Sequence, residues 1–261
     1  MTARDMAAAN ASIQTRQIAS LPMYNIPQLA DANRALWGHI HRKLEDAGIA
    51  APVKLSNTIL DESLHALADL CFTQTCREPY RRFLAPHVSL VGTPDYGVAD
   101  CRPGYYRSAI VVRRNSGRTH SCELDGAVAA VNCRHSWSGF RALKRFARKD
   151  GIRFSDKVFT GSHHASVNAV VAGVADIAAV DVVLMRYSLM LERDSPFAGV
   201  RQLALTERSP GLPYVAMAGI DRRTWFDAVR EAIHDLPNSA QARLGIRDLV
   251  WIPERCYLAE D

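Results

Sequence analysis

Side chains suited to anion binding gather in residues 131–140, VNCRHSWSGF, at the start of a predicted helix. The hydroxyls of Ser136 and Ser138 would lie beside the first backbone N–H groups of that helix, which have no intrahelical partner and carry the positive end of the helix dipole. Such a site favours an oxyanion without a buried cation. Serine is also a preferred helix N-cap, so a purely structural role is the alternative.

Two further stretches end with polar groups in the same way. In GSHHAS (161–166), His163 falls just before a predicted helix, where its imidazole can donate a hydrogen bond to a ligand. In ADIAAVD (175–181), an apolar strand ends on Asp181, at the carboxyl end where open α/β sheets bind ligands. The alternatives are a histidine that satisfies its own loop and an aspartate that caps the next helix. Three strand ends with polar groups support a shared site.

The elements that must position these residues alternate along the chain. Apolar runs predict strands over 17–24, 53–55, 70–73, 88–91, 107–114, 127–132, 157–159, 176–180 and 201–205. Amphipathic patterns predict helices over 31–47, 62–68, 79–84, 140–149, 165–172 and 223–235. This alternation predicts an α/β fold with largely parallel sheets.

A turn-rich stretch, 93–106, and one long strand separate two strand–helix blocks. We therefore predict two lobes, one formed by 1–108 and 206–261 and the other by 109–205. Two crossovers of this kind form a hinge, and ligands bind in the crevice between such lobes.

Composition narrows the class of protein. With 48% hydrophobic and 23% charged residues, the chain is typical of globular proteins. No apolar run reaches the roughly 18–20 residues that span a bilayer, so no membrane insertion is expected. The net charge is +5, but the densest basic cluster, RALKRFARK (141–149), is typical of a solvated helix face. Without a basic stripe interleaved with aromatics, no nucleic-acid partner is predicted.

Cysteines and motifs favour neither a metal nor a catalytic site. The six cysteines include no C-x-x-C pair, so no metal or cofactor is predicted. Cys133 with His135 or His163 could form a nucleophile–base pair, but no phosphate-binding, dinucleotide or nucleophile-elbow motif accompanies them, and we predict no enzyme. Cys76 and Cys101 could form a disulfide in an oxidising compartment; otherwise the cysteines are expected to be buried, inert thiols.

From about Ile18 to Leu236, the sequence resembles the substrate-binding proteins of phosphate, phosphite and phosphonate ABC transporters, in the type 2 periplasmic binding-protein superfamily. The most specific segments are FTQTCREPY (72–80), YYRSAIVV (105–112), VNCRHSWSGF and GSHHASVNAVVAGVADIAAVD (161–181). The last is similar to the family's signature of G-[GS]-H-x-x-S, an apolar helix, G-x-x-D and a strand ending in Asp.

The resemblance implies a ligand site. Phosphonate-binding members hold the oxyanion at a Ser-Thr-Ser helix start, and the other ligand positions are a histidine, a strand-end acid, a tyrosine after the first strand and a group on the third-strand loop. The matching residues here are Ser136, Trp137 and Ser138, then His163, Asp181, Tyr24, and Gln74 or Thr75. Trp137 replaces the central threonine, and Gln74–Thr75 replaces an expected aromatic, so the oxyanion subsite is kept while the rest of the ligand differs.

We therefore expect a two-lobed protein that closes on a small anionic solute as the substrate-binding component of an ABC transporter, with permease subunits as partners. Ser136 and Ser138 would hold the oxyanion, and Tyr24 and Trp137 would wall the pocket. A monomer or weak dimer is expected. The location is periplasmic by resemblance, although MTARDMAAANASIQTRQ lacks the apolar core of a secretion signal, which leaves a cytoplasmic location open. The alternatives are an intracellular sensor or enzyme on this fold, or a binder of a sulfonate or pyrimidine-type solute.

Overall fold

The computed structural model describes residues 18–56 and 67–259. The described residues fall into two compact units. Unit 1 contains the residues up to Gly97 and Gly211–Leu258, and unit 2 contains Val98–Pro210, with Ala259. Unit 2 is therefore longer at both ends than 109–205, the range that the sequence predicts for the second lobe.

The strands, in chain order, are β1 Ile18–Ser20, β2 Leu70–Gln74, β3 Val88–Asp95, β4 Tyr105–Tyr106, β5 Ser108–Arg113, β6 Val128–Val131, β7 Asp156–Phe159, β8 Ile177–Asp181, β9 Val200–Leu205, β10 Ser209–Pro210, β11 Tyr214–Met217 and β12 Asp248–Val250. The α-helices are α1 Ala30–Asp46, α2 Arg77–Pro79, α3 Ala142–Lys149, α4 His163–Ala172, α5 Val182–Leu191, α6 Arg222–His234, α7 Asn238–Leu244 and α8 Arg255–Leu258. π-Helical turns at Tyr80–Leu84 and Trp137–Arg141 adjoin α2 and α3.

Unit 1 is built on a sheet with strand order β1-β2-β11-β3-β12. Helix α1 buries Leu36, Trp37, Ile40 and Leu44, the face that the helical spacing predicts. The indole of Trp37 packs on the ring of Phe72 in β2, with 5.5 Å between the ring centroids. Helix α6 packs beside α1. The sheet is therefore covered by helices whose apolar stripes the sequence already shows.

Unit 2 is built on a sheet with strand order β7-β6-β8-β5-β9. Successive side chains of a strand face opposite sides of the sheet. In β8, Ile177 and Ala179 therefore pack in the same core as Leu143 of α3, while Ala178 and Val180 join the core that includes Val167 of α4. Because β8 is buried on both faces, it is apolar throughout until Asp181.

The predicted α/β fold class is confirmed, but the pairing of strands is more mixed than the sequence predicts. In unit 2, β7, β6, β8 and β9 run in one direction, and β5 pairs antiparallel with β8 and β9. In unit 1, β11 pairs antiparallel with β2 and β3, and β12 pairs antiparallel with β3. Strands β5 and β11 are each the first long strand after the chain passes from one unit to the other.

Some predicted elements differ in the structure. The strand expected over 53–55 is not formed, because Val53 is 75% exposed and gains no burial; Ser56 makes a single bridge to Ser20. Strand β3 continues to Asp95, into the expected loop, because β12 pairs with its last three residues. Most of the helix predicted over 62–68, and the first residue of the strand predicted over 17–24, lie outside the described residues. No described helix is long and apolar enough to cross a membrane.

Candidate functional site

Three strand ends bring the predicted oxyanion residues of unit 2 to one edge of its sheet. Strands β7, β6 and β8 are parallel neighbours, so their carboxyl ends lie at the same edge. The 136–138 turn follows β6, His163 follows β7, and Asp181 ends β8. The correspondence of the three strand ends, predicted from sequence, is present in the structure.

The turn after β6 is set by Ser136. Its backbone is extended, and its Oγ accepts a hydrogen bond from the Gly139 N–H at 3.0 Å, which makes Ser136 the N-cap of the π-helical turn. The helical segment therefore begins at Trp137, three residues before the predicted start. Packing requires a glycine at position 139, because a Cβ there would lie 2.0 Å from Asn132 Oδ1 and 3.1 Å from the His163 ring. The capping alternative from the sequence is therefore present at Ser136.

Ser138 and His163 contact each other directly. Ser138 Oγ lies 2.9 Å from His163 Nε2, and Ser138 is buried while His163 is half-buried. Burial lowers the pKa of His163 to about 4, against a smaller raising effect from the Ala179 backbone. The imidazole is therefore neutral near pH 7. Ser162 caps α4 by accepting from the Ala165 N–H at 3.1 Å, so His163 is the first residue of the helix and not a residue before it.

Asp181 is the N-cap of α5. Its Oδ1 accepts hydrogen bonds from the N–H groups of Val183 at 2.7 Å and Leu184 at 3.3 Å, and the side chain is buried. The capping alternative from the sequence is therefore present. Asp181 also pairs in register with Ser108 of β5.

Trp137 is buried to 3% exposure. Its Nε1 donates to Ser209 Oγ at 2.9 Å, and the guanidinium of Arg145 lies 6.0 Å from the ring. Ser209 belongs to β10, which pairs with β4. The indole therefore has a defined hydrogen-bond partner in unit 2, in place of the hydroxyl that a threonine would supply.

Two of the predicted residues of unit 1, Tyr24 and Gln74, contact an aromatic residue, Tyr96, that the sequence does not single out. Gln74 Nε2 donates to the Tyr96 hydroxyl at 3.1 Å and to the Leu212 carbonyl at 3.2 Å. The rings of Tyr24 and Tyr96 meet edge to face at 5.1 Å. Thr75 is buried, and its backbone N–H donates to the Pro213 carbonyl. One feature of the sequence could have indicated Tyr96 as a site residue. It comes directly after β3, within a stretch that the sequence predicts to be a loop.

The cysteines are free thiols. The possible bridge between Cys76 and Cys101 is not formed. Cys71 is buried, and burial raises its pKa to about 12, but Cys122 and Cys133 are exposed. The expectation of buried thiols is wrong for these two, and Cys76, Cys101 and Cys256 are only partly buried. Within the described ranges, no group of three or more His, Cys, Asp or Glu side chains could hold a metal ion.

Comparison with solved structures shows the same fold in anion-binding proteins. XAC2383 from Xanthomonas citri, bound to chloride ion, superposes with a TM-score of 0.69 at 12% identity, over 92% of this chain and 94% of that one. PhnD1 from Prochlorococcus marinus, in complex with methylphosphonate, gives 0.68 at 15% identity, over 93% and 94%. A binding protein component of an ABC phosphonate transporter from Pseudomonas aeruginosa gives 0.65 at 11% identity, over 93% and 83%. These likenesses confirm the two-lobed type 2 periplasmic binding-protein fold.

Sequence comparison identifies the family. No curated protein matches the chain. A family model described as "ABC transporter, phosphonate, periplasmic substrate-binding protein" matches residues 84–252, which is more than half of the chain and includes Ser136, His163 and Asp181. The chain therefore belongs to the family of periplasmic substrate-binding proteins of phosphonate ABC transporters.

Proposed function

We propose that this chain is the substrate-binding component of an ABC transporter and that it binds a small phosphonate- or phosphate-like oxyanion at the 136–138 turn. The observation that carries the proposal is the 2.9 Å contact between Ser138 Oγ and His163 Nε2 at the carboxyl edge of the sheet. The family, a solute-binding transport component, supports it.

The neutral state of His163 determines how the pair can act. A neutral imidazole carries its proton on one ring nitrogen. When that nitrogen is Nε2, the ring donates to Ser138 Oγ, and the hydroxyl proton is available to an oxyanion. A bound anion favours this tautomer, because hydrogen bonds to charged groups are stronger than neutral ones. In this proposal His163 positions the Ser138 hydroxyl; the sequence had expected it to donate to the ligand itself.

The rest of the ligand is proposed to meet other groups. Asp181 would accept a hydrogen bond from an amine or hydroxyl on the ligand, in addition to capping α5. Trp137 and Tyr24 would contact its apolar part, and Gln74 and Thr75 its remaining polar atoms. Gln74 Nε2 already donates to the Tyr96 hydroxyl and to the Leu212 carbonyl. The Tyr96 hydroxyl lies beside the Gln74 amide, and we therefore add it to the groups proposed to contact the ligand.

Calorimetric titration of the purified chain with methylphosphonate, phosphate, phosphite and methanesulfonate tests the proposal. We expect one-to-one binding of at least one phosphorus oxyanion, more tightly than methanesulfonate, with the ligand recovered unchanged by phosphorus NMR. Tighter binding of the sulfonate would favour the sulfonate-binding alternative, and conversion of the ligand would favour an enzyme. Absence of binding to all four would reject the proposal.

A further inference from the structure

We infer that unit 2 carries a second binding site, for a small amphipathic anion with an aromatic or other apolar body, in a cavity between α3 and the edge strand β7. The cavity has a volume of about 560 Å³, within the range of small-molecule sites. None of the eight predicted ligand residues lines it. The inference is therefore independent of the proposed function.

The floor of this cavity is apolar. Leu143, Ala147 and Ile152 line it and are buried in the core beneath α3. Phe140 and Phe159 also line it, with 6.2 Å between their ring centroids, and Phe159 is 43% exposed. Exposed aromatic surface in a concave site gains from contact with an apolar ligand, because that contact removes it from water.

The rim of the cavity is cationic. Its charged lining residues are all basic: Arg134, Lys144, Arg148, Arg153 and Lys157. Over the part of the chain that the structure describes, none of these five side chains takes part in an ion pair. The guanidinium of Arg134 lies over the Phe159 ring at 4.4 Å. A rim of uncompensated positive charge above an apolar floor selects an anion.

The basic side chains of helix α3 differ in whether they are ion-paired. Arg145 and Lys149 pair with Glu207 at 2.9 and 3.3 Å, whereas Lys144 and Arg148, four residues apart on α3, face the cavity. In the basic cluster at 141–149, expected to be a solvated face, two side chains are therefore ion-paired and two others line the cavity. Lys144 and Arg148 border one cavity and form no extended stripe, which favours a small ligand over a nucleic acid.

Fluorescence titration with 8-anilinonaphthalene-1-sulfonate, an aromatic anion, tests the site, with neutral N-phenyl-1-naphthylamine as the matched probe. We expect saturable one-to-one binding of the sulfonate that weakens as salt is raised. The double variant Lys144→Gln with Arg148→Gln should raise its Kd about tenfold, since two charges are lost at the rim, and should leave the neutral probe unaffected. Phe159→Ser should weaken the binding of both probes.

The control is Lys54→Gln with Arg193→Gln, which removes two exposed cations outside the cavity and should change neither Kd. Ser138→Ala should leave the sulfonate's Kd unchanged, so failure of this site is distinguishable from failure of the oxyanion site. Thermal melts verify that each variant is folded. Equal Kd values in the two double variants, no saturable binding, or loss of binding in Ser138→Ala would overturn the inference.

Discussion

At the scale of single residues, the account depends on the hydroxyl of Ser138. Ser138→Ala removes the group that contacts His163 Nε2 and that is proposed to donate to the ligand. Loss of a hydrogen bond to a charged group weakens binding by about 1–3 kcal/mol, or roughly 5- to 150-fold in Kd. Calorimetry with methylphosphonate measures it, and Ser155→Ala, at an exposed position of the same unit, is the control. Equal affinity in the two variants would remove Ser138 from the site.

His163 predicts a pH dependence of stability. Its pKa is lowered by burial from 6.5 to about 4 in the folded protein. Between these values the unfolded chain binds a proton that the folded chain does not, so the free energy of unfolding decreases as pH falls from about 6.5 to about 4. Below about 4 both states are protonated, and this contribution changes no further.

Denaturant unfolding at pH 7, 5.5 and 4.5 measures this dependence. His163→Gln should show a smaller loss of stability over the range than the wild type, because the other titrating groups are unchanged. His87→Gln, at an exposed histidine of unit 1, should follow the wild type. A His163→Gln profile parallel to the wild type would contradict the assignment of a half-buried, neutral imidazole.

Individual site residues were predictable where the chain carries a local pattern. A serine before a helix and an aspartate at a strand end are visible in sequence, so Ser136 and Asp181 were named. Tyr96 was missed, because its contacts with Gln74 and Tyr24 join residues more than 20 positions apart. The direct contact between Ser138 and His163 has the same character, as it joins two strand ends.

At the scale of elements, the turn Trp137–Arg141 depends on a close approach at Gly139. A Cβ at this position would lie 2.0 Å from Asn132 Oδ1. Gly139→Ala should therefore displace the turn, lower the free energy of unfolding by roughly 1–3 kcal/mol, and weaken methylphosphonate binding. Gly117→Ala, where a Cβ has open space, is the matched control. Unchanged stability and affinity in Gly139→Ala would show that the turn does not need this approach.

Asp181 caps helix α5, and its proposed contact with the ligand can be tested separately from this cap. Asp181→Ala should destabilise the protein by about 0.5–2 kcal/mol, because the N-cap is lost, whereas Asp181→Asn should stay close to wild type, since asparagine caps as well as aspartate. If Asp181 also contacts the ligand, Asp181→Asn should weaken the binding of 2-aminoethylphosphonate more than the binding of phosphate, as calorimetry would detect. Equal changes for both ligands would leave capping as its whole role.

Most elements of unit 2 were predicted because each contains its own signal. Strands β6, β7 and β8 and helices α3 and α4 appear as separate apolar or amphipathic runs. The strand bounds differ from the predicted ones by one residue at most, and the starts of the two helical segments differ by two or three residues, where Ser136 and Ser162 act as caps. The C-terminal strands β11 and β12 were missed. Their places in the unit 1 sheet come from pairing with β2 and β3, more than 100 residues away, which no local pattern shows.

At the scale of the whole molecule, the family match covers the proposed ligand residues of unit 2 but not those of unit 1. The matched range, 84–252, includes the three strand ends of unit 2 but not Tyr24, Gln74 or Thr75. Family membership and the geometry of the three strand ends therefore both support the proposed oxyanion subsite. Tyr24 and Gln74 are proposed from their contacts with Tyr96 and from the sequence resemblance, and Thr75 from the resemblance alone.

A crystal structure of the chain with methylphosphonate tests the central claim most directly. We predict that phosphonate oxygens lie within about 3 Å of Ser138 Oγ and near Ser136 at the start of the helical turn. Phosphonate bound elsewhere, with the Ser138–His163 contact intact and the turn closed by its own side chains, would contradict it.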